Sequence, residues 1–295
     1  MKILLIGSKG QVGGELLKLL THTKHNTISI NRDTWDMAAA PLHGNDIVAS
    51  HAPDLVICAS AYTNVEKAEV EPEVAYAVNA EAPRALALGC QVLNIPILHL
   101  STDFVYSGQK EKAYLEVDQV KPINVYGASK AKGDANVVES CCNHIVIRTS
   151  WVYSSNPGNF VTKIINAAGT NKSISVVDDQ MGTPTFATDL AAAIIRIVDT
   201  IGVYGFDQWG IYNYSGNRCI SRSDFSTKIL ELAFEIGLIN QEARTIPIKT
   251  SNSLNIQRPA NSCLDNQKIH RIFSLESSNL EIGLKKVITQ LIGDR

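Results

Sequence analysis

Tyr126 and Lys130 stand four residues apart at the head of a helical stretch. That spacing places both side chains on one helix face, with an ammonium within reach of a phenol. A neighbouring ammonium favours the phenolate and draws a tyrosine down from its ordinary value of about 10, toward a working proton donor. A phenol beside a cation suits a proton donor to a reacting group. Ser101 and Thr102, at the end of an apolar run, place hydroxyls at the carboxyl end of a central strand, where ligands bind in doubly wound sheets. Tyr-x-x-x-Lys alone also occurs on ordinary surface helices. It gains weight here from a second feature, Gly7-Ser-Lys-Gly10-Gln11-Val12-Gly13, which opens the same chain.

The glycine stretch follows the apolar run Lys2–Ile6 and precedes the helical run Glu15–Leu20. Strand, glycine turn and helix, in that order, bind a dinucleotide: the glycines let the backbone approach the pyrophosphate, and the helix N-terminus meets its charge. The spacing is G-x-x-G-x-x-G, a variant of the standard fingerprint. A dinucleotide site joined to a proton donor implies hydride transfer. The second strand, Thr27–Ile30, ends in Asn31-Arg32. Arginine there suits a ribose 2′-phosphate, so NADPH is the expected cofactor; Asp33 keeps NADH possible, because an acid suits the free 2′-hydroxyl. Ala59, Ser60, Ala61 and Thr63 follow the strand Pro53–Cys58, and small side chains there let a cofactor pass close to the backbone.

Strands and helices alternate as far as Arg148, which predicts an α/β fold: a Rossmann-type doubly wound parallel sheet with right-handed crossovers. Beyond Ser154 the pattern loosens into a smaller α/β C-terminal substrate lobe. The expected division is residues 1–153 for the dinucleotide domain and 154–295 for the lobe, interleaved with the first. Expected helices include Glu71–Leu93, started by Pro72 and kinked or broken at Pro83, and Val125–Cys141. Ser221 or Ser223 should cap a helix running to Ile236, and a polar loop should follow Ile248.

A net charge of −2, with no basic cluster, gives no reason to expect nucleic acid or an anionic membrane as a partner. The apolar start runs into glycines too soon for a signal peptide or a membrane span, so a cytoplasmic protein is expected. The six cysteines (58, 90, 141, 142, 219 and 263) have no metal-ligand spacing and read as reduced, buried thiols. No metal site is expected.

Further phrases extend the pattern along the chain: Ala61 to Glu69, Ser101 to Tyr106, Asn124 to Gly127, Arg148 to Ser154, Asp179 to Thr185 and Arg258 to Ser262. With them the chain resembles the extended short-chain dehydrogenase/reductases, and among these the nucleotide-sugar 4-ketoreductases. The resemblance implies NADPH-dependent reduction of the 4-keto group of a dTDP-linked deoxysugar. It implies Thr102, Tyr126 and Lys130 as the catalytic group, with Tyr126 and Lys130 also meeting the cofactor. Gly7, Gly10, Gln11, Val12 and Gly13 would hold the pyrophosphate, and Ala59, Ser60, Ala61 and Thr63 would line the cofactor path. Thr102, Asp103, Phe104, Tyr126 and Trp151 would meet the substrate. Epimerases and dehydratases share the scaffold, but Thr102-Asp103-Phe104 lacks the Asp-Glu pair of a dehydratase. Non-catalytic NADP-binding subunits also occur, and would not need Tyr126 and Lys130 together. Some relatives pair through a metal held by glutamates; the corresponding stretch here is Phe186-Ala-Thr-Asp189. The terminal Leu280–Lys286 also lacks a usual proline–tryptophan phrase. A monomer or weak homodimer is therefore expected.

Overall fold

The computed structural model describes residues 1–240, 242–250 and 256–293. The polar stretch expected after Ile248 lies partly outside the described residues. Strand β1 (Lys2–Ile6) is buried from Ile3 onward, as an inner parallel strand must be. Helix α1 (Gln11–Leu20) leaves directly from the glycine turn, and β2 (Asn26–Ile30) returns beside β1. Helix α2 (Gly44–His51) then leads to β3 (Leu55–Cys58).

After β3 comes α3 (Val65–Val70), whose Lys67 N–H is accepted by the Asn64 side chain. The helical stretch expected over Glu71–Leu93, with a kink or break at Pro83, runs as α4 (Pro72–Tyr76), a π-helical turn (Ala77–Glu81) and α5 (Ala82–Leu93). The widened turn lies immediately before Pro83, which has no N–H to continue the ladder, so the break falls where the proline puts it. Strand β4 (Ile97–Thr102), helix α6 (Val125–Ser140) and β5 (His144–Thr149) complete the first half.

The second half begins with β6 (Val152–Tyr153), α7 (Phe160–Ala168), β7 (Ser173–Val177), β8 (Met181–Gly182), β9 (Thr185–Phe186) and α8 (Ala187–Ile201). Then come β10 (Gly210–Asn213), β11 (Ile220–Ser221), α9 (Arg222–Glu235), β12 (Arg244–Ile248), α10 (Gln267–Phe273) and α11 (Leu280–Gly293). Ser221 caps α9, accepting from the Asp224 N–H at 3.0 Å. Helices α2 and α3 were not expected from the sequence; both are short, and their apolar residues are too few to mark a face.

The main sheet has six strands in the order β10-β5-β4-β3-β1-β2, each neighbouring pair parallel. The chain reverses its direction of winding between β1 and β3, and the crevice at such a switch point is where ligands bind. One sheet face packs on α1, α8 and α10 through residues such as Leu16, Ile194 and Phe273. The other packs on α2, α5 and α6 through Val48, Leu86 and Val137. A second core, with Val161, Phe225, Ile229 and Leu284, joins α7, α9 and α11. Strand β10 comes from the second half yet extends the first-half sheet beside β5.

Two cysteines depart from the expectation of six reduced thiols. Cys219 and Cys263, 44 residues apart, form a disulfide with their Cα atoms at 5.6 Å. Their sequence positions give no sign of this, because folding brings both beside β8. Cys58, Cys90 and Cys141 are free and buried, whereas Cys142 is free but exposed, since it lies in the turn after α6.

Gly7 has φ +91°, and a Cβ there would lie 2.7 Å from the Ser60 amide nitrogen. Both the backbone region and the approach of the β3 end demand glycine. Gly7→Ala should lower stability by about 2 kcal/mol and weaken NADPH binding. Urea unfolding and cofactor titration will check this; wild-type values for both would show that the turn accommodates a side chain.

Candidate active site

One cavity of about 510 Å³ opens at the carboxyl ends of β1, β3, β4 and β5. It is lined by Gly7, Gly10, Gln11, Val12, Arg32, Ala59, Ser60, Ala61 and Thr63 on one side, and by Thr102, Asp103, Phe104, Tyr126, Lys130 and Trp151 on the other. Of the candidate residues only Gly13 is not part of the lining. It sits beneath the turn, where a Cβ would fall 2.0 Å from the Gly7 carbonyl oxygen.

At the glycine end, Gly10 begins α1 with no side-chain cap and no acidic residue in the first turn. That helix end is suited to a phosphate. A smaller apolar cavity of about 140 Å³ adjoins it, with Ile30, Trp35, Met37, Tyr62 and Val78 in its wall. Arg32 borders both cavities, its side chain 82% exposed and 3.6 Å from Asp36. Asp33, the residue that could favour NADH, is paired with Lys9. Lys9 carried no motif signal in the sequence, yet it lies in the cavity wall.

At the catalytic end, Thr102 is the last residue of β4. Its hydroxyl donates to Asp103 at 3.0 Å and accepts the Phe104 N–H at 3.3 Å. The Asp103 carboxylate also accepts from Ser150 at 2.8 Å and faces Ser262 and Arg222. Burial raises its pKa, against the opposing pull of these hydroxyls and of Arg222. Two neighbouring hydroxyls in the cavity wall, Ser101 Oγ and Thr149 Oγ1, are buried without a partner among the described residues.

Helix α6 carries Tyr126 and Lys130. Its cap, Asn124, accepts the Gly127 N–H at 2.8 Å and donates to the Gln257 carbonyl at 2.9 Å. The Tyr126 hydroxyl faces that of Thr102, and its ring meets Phe104 edge-on at 5.5 Å. Burial pushes the phenol up to about 12; the Thr102 contact opposes this, while Asp103 and Asp134 add to it.

This reverses the expectation that Lys130 draws the tyrosine down. The Lys130 ammonium is turned toward β4, donating to the Leu100 carbonyl at 2.6 Å and meeting His99 Nε2 at 3.2 Å. Its own pKa is lowered by burial, with Asp134 and Cys58 opposing. Behind it, Asp134 accepts from Arg148 Nε at 3.1 Å, and Arg148 donates to the Tyr106 hydroxyl at 2.8 Å. Asn79, in the π-helical turn, ties α6 to the cofactor-side loop through Ser129 at 2.9 Å and the Tyr62 N–H at 2.8 Å.

On the remaining wall, Trp151 has φ +47°, and its indole lies against Gly182, where a Cβ would be 2.1 Å from the ring. The Arg222 guanidinium lies 3.5 Å from the indole centroid and 4.8 Å from that of Phe160. Among the described residues it has neither an ion pair nor a hydrogen-bond acceptor. Burial pulls its pKa down to about 9, with Asp103 resisting and Arg258 assisting. Arg222 also borders a second cavity of about 360 Å³, shared with Phe160, Lys163, Gln180 and Arg258. The sequence reading missed Arg222. The available signal was a cation at the first position after the Ser221 cap, where the helix dipole disfavours it.

The parallel sheet, the glycine turn, and the Thr102, Tyr126 and Lys130 group around one cavity define a reductase of the extended short-chain dehydrogenase/reductase class. The family described as RmlD substrate binding domain matches residues 1–292. A dTDP-4-dehydrorhamnose reductase from Aggregatibacter actinomycetemcomitans is 34% identical over 288 residues, covering 97% of this chain and 98% of that protein. Among solved structures, the reductase of that name from Clostridium acetobutylicum has a TM-score of 0.90 at 29% identity, covering 99% of this chain and 100% of the other. That from Bacillus anthracis, in complex with NADP, has a TM-score of 0.88 at 28% identity, covering 98% and 100%. The chain belongs to the dTDP-4-dehydrorhamnose reductases, a family of NADPH-dependent oxidoreductases. Among the described residues no helix is long and apolar enough to cross a membrane.

The raised phenol has a direct consequence for pH dependence. A group whose folded pKa is about 12 stays protonated through the neutral range, so the Tyr126 phenol keeps its proton there. Turnover should therefore show no alkaline fall from phenol ionisation between about pH 7 and 9. A limb near neutrality in the kcat profile, abolished by Tyr126→Phe, would mean that Lys130 does lower the phenol. Separately, Asp134→Asn leaves the Arg148 guanidinium buried without its carboxylate and should cost about 3–5 kcal/mol in chemical unfolding.

Proposed function

We propose that the chain reduces the 4-keto group of dTDP-4-dehydro-L-rhamnose to give dTDP-L-rhamnose, with Thr102, Tyr126 and Lys130 as the catalytic group. The observation that carries this reading is the Arg222 guanidinium, enclosed between Trp151 and Phe160 without an acceptor of its own. It faces the cavity that also holds Tyr126, opposite the glycine turn. A planar cation waiting for an anion suits the diphosphate of a nucleotide sugar. Lys163 and Arg258, in the adjoining cavity, add charge for the same group. The relatives bearing the reductase name supply the identity of the base and the sugar.

The residues present fit NADPH. The glycine turn offers its backbone to a pyrophosphate, and Arg32 stands exposed at the cavity edge beside Asp36 while Asp33 is paired with Lys9. Ser101 and Thr149 hold hydroxyls in the cavity wall that have no partner among the described residues. When bound, the reduced nicotinamide supplies the hydride. Tyr126 then gives its proton to the substrate oxygen, and the Thr102 hydroxyl, oriented by Asp103, steadies the charge on that oxygen beforehand. Lys130, which now donates to the Leu100 carbonyl, would hold the nicotinamide ribose in this reading. Residues 1–153 form the cofactor domain in this reading, and 154–295 the substrate lobe through Trp151's neighbours and Arg222. The enzyme would work in the cytoplasm as a monomer or weak homodimer.

The test is NADPH consumption with dTDP-4-dehydro-L-rhamnose, followed by product identification. Tyr126→Phe should reduce kcat about a hundredfold or more with NADPH binding retained. Arg222→Ala should raise the KM for the sugar nucleotide about tenfold or more. A wild-type protein that binds NADPH yet consumes none with this substrate would overturn the reading.

A further inference from the structure

Strand β8 is flanked on one side by β11, with Ile220 opposite Gly182 and Ser221 opposite Met181. On its other side runs the segment Ala260–Ser262, bonded to Met181 through the Met181 N–H to Ala260 at 2.7 Å and the Ser262 N–H to Met181 at 2.9 Å. Cys219 immediately precedes β11, and Cys263 immediately follows Ser262, so the disulfide closes the two outer pieces of this small ribbon on each other. Three contacts pass from the ribbon into the active site. Gly182 supports the Trp151 indole, Arg222 covers that indole, and Ser262 faces Asp103. Among the described residues no hydrogen bond of the ribbon reaches the glycine turn or Arg32.

The two sulfurs differ in access. Cys219 is exposed, whereas Cys263 is fully buried. A cleft of about 390 Å³, with Asn217, Asp265, His270 and Glu276 in its wall, reaches both cysteines. An uncharged thiol reagent can therefore reach the disulfide from outside without entering the catalytic cavity.

We propose that Cys219–Cys263 is a thiol-exchange site on the rim of the substrate cavity, and that its reduction by a small dithiol loosens sugar-nucleotide binding while leaving cofactor binding unchanged. The step balances as a two-electron reduction. One thiolate of the dithiol attacks Cys219 Sγ, the protein S–S bond breaks, and Cys263 leaves as a thiolate that takes a proton. The second reagent sulfur then displaces Cys219, closing a cyclic disulfide and leaving two protein thiols. Once the bridge opens, β11 and the Ala260–Ser262 segment are held to β8 by hydrogen bonds without a covalent tie, the Ser262 hydroxyl donating to the Met181 carbonyl at 3.2 Å among them. Arg222 and Ser262 then lose a covalent constraint on their placement, which reactions held in one geometry feel strongly.

The inference rests on the proposed reductase reading, and the experiment separates the two. Oxidised protein, protein reduced with dithiothreitol, and the variant Cys219→Ser/Cys263→Ser are compared on a Cys142→Ser background, which removes the exposed free thiol. Alkylation with mass detection counts thiols in each. NADPH and dTDP binding are titrated, and steady-state kinetics are recorded. The expectation is two added thiols on reduction and KM and dTDP Kd raised about fivefold or more. NADPH Kd should be constant, and the double variant should match the reduced form and ignore dithiothreitol. Alkylation of Cys219 without reductant, or identical KM and dTDP Kd in active oxidised and reduced enzyme, would overturn the inference alone. Loss of NADPH binding in step with dTDP binding would also overturn it, as a general loosening of the fold. Should the double variant fail to fold, reduced protein carries the comparison. Absence of turnover in the oxidised form would instead count against the reductase reading, with dTDP binding still reporting on the exchange site.

Discussion

The site depends on how closely α6 can approach its neighbours. A Cβ at Gly127 would lie 2.1 Å from the Phe104 carbonyl oxygen, and one at Gly133 would lie 2.0 Å from that of Asn79. Backbone meets backbone at both points, and only glycine permits it. The first contact brings Tyr126 over the end of β4, where Thr102 and Asp103 lie. The second presses the helix onto the π-helical turn, so that Asn79 can bond both α6 and the loop that follows β3. Two contacts thus set the Tyr126 phenol relative to the Thr102 hydroxyl and to the loop that follows β3.

Charge is distributed unevenly around that geometry. Lys130, Asp134 and Arg148 are all but fully buried and share one network with His99, whose pKa is held well below its ordinary value by burial and by Lys130. A buried network of this kind costs desolvation and is sustained only by close pairing. Its effect here is to hold the Lys130 ammonium against the Leu100 carbonyl, away from the phenol. Burial, with Asp103 and Asp134 adding to it, then keeps the proton on Tyr126. Arg222, on the opposite wall, has no such network among the described residues and stacks instead on the Trp151 indole, with Asp103 as the facing carboxylate.

Much of this was legible beforehand. The order of β1, glycine turn and α1 follows from an apolar run, three glycines and a leucine-rich helix, and α6 was placed to within one residue at its C-terminal end. Thr102 and the cofactor-side residues lie around one cavity because they end or follow neighbouring strands, and Tyr126 and Lys130 join them from the first turns of α6. Other features were not legible, for physical reasons. The direction of the Lys130 side chain depends on the Leu100 carbonyl and on His99, thirty-odd residues away. The approach of Cys219 to Cys263 depends on both flanking β8, which no local pattern encodes. Arg222 gave only a faint sign, a cation placed against the helix dipole, and needed the indole and the cavity to acquire a meaning.

The central claim is that hydride passes to C4 of a sugar while Tyr126 protonates its oxygen. It is tested most directly with NADPH carrying deuterium at nicotinamide C4, in each of the two stereochemical positions, and with the product sugar read by proton NMR. The account requires deuterium at sugar C4 from one of the two labelled cofactors, in an L-rhamnose product. Deuterium elsewhere on the ring, or a product formed without label from either cofactor, would contradict it.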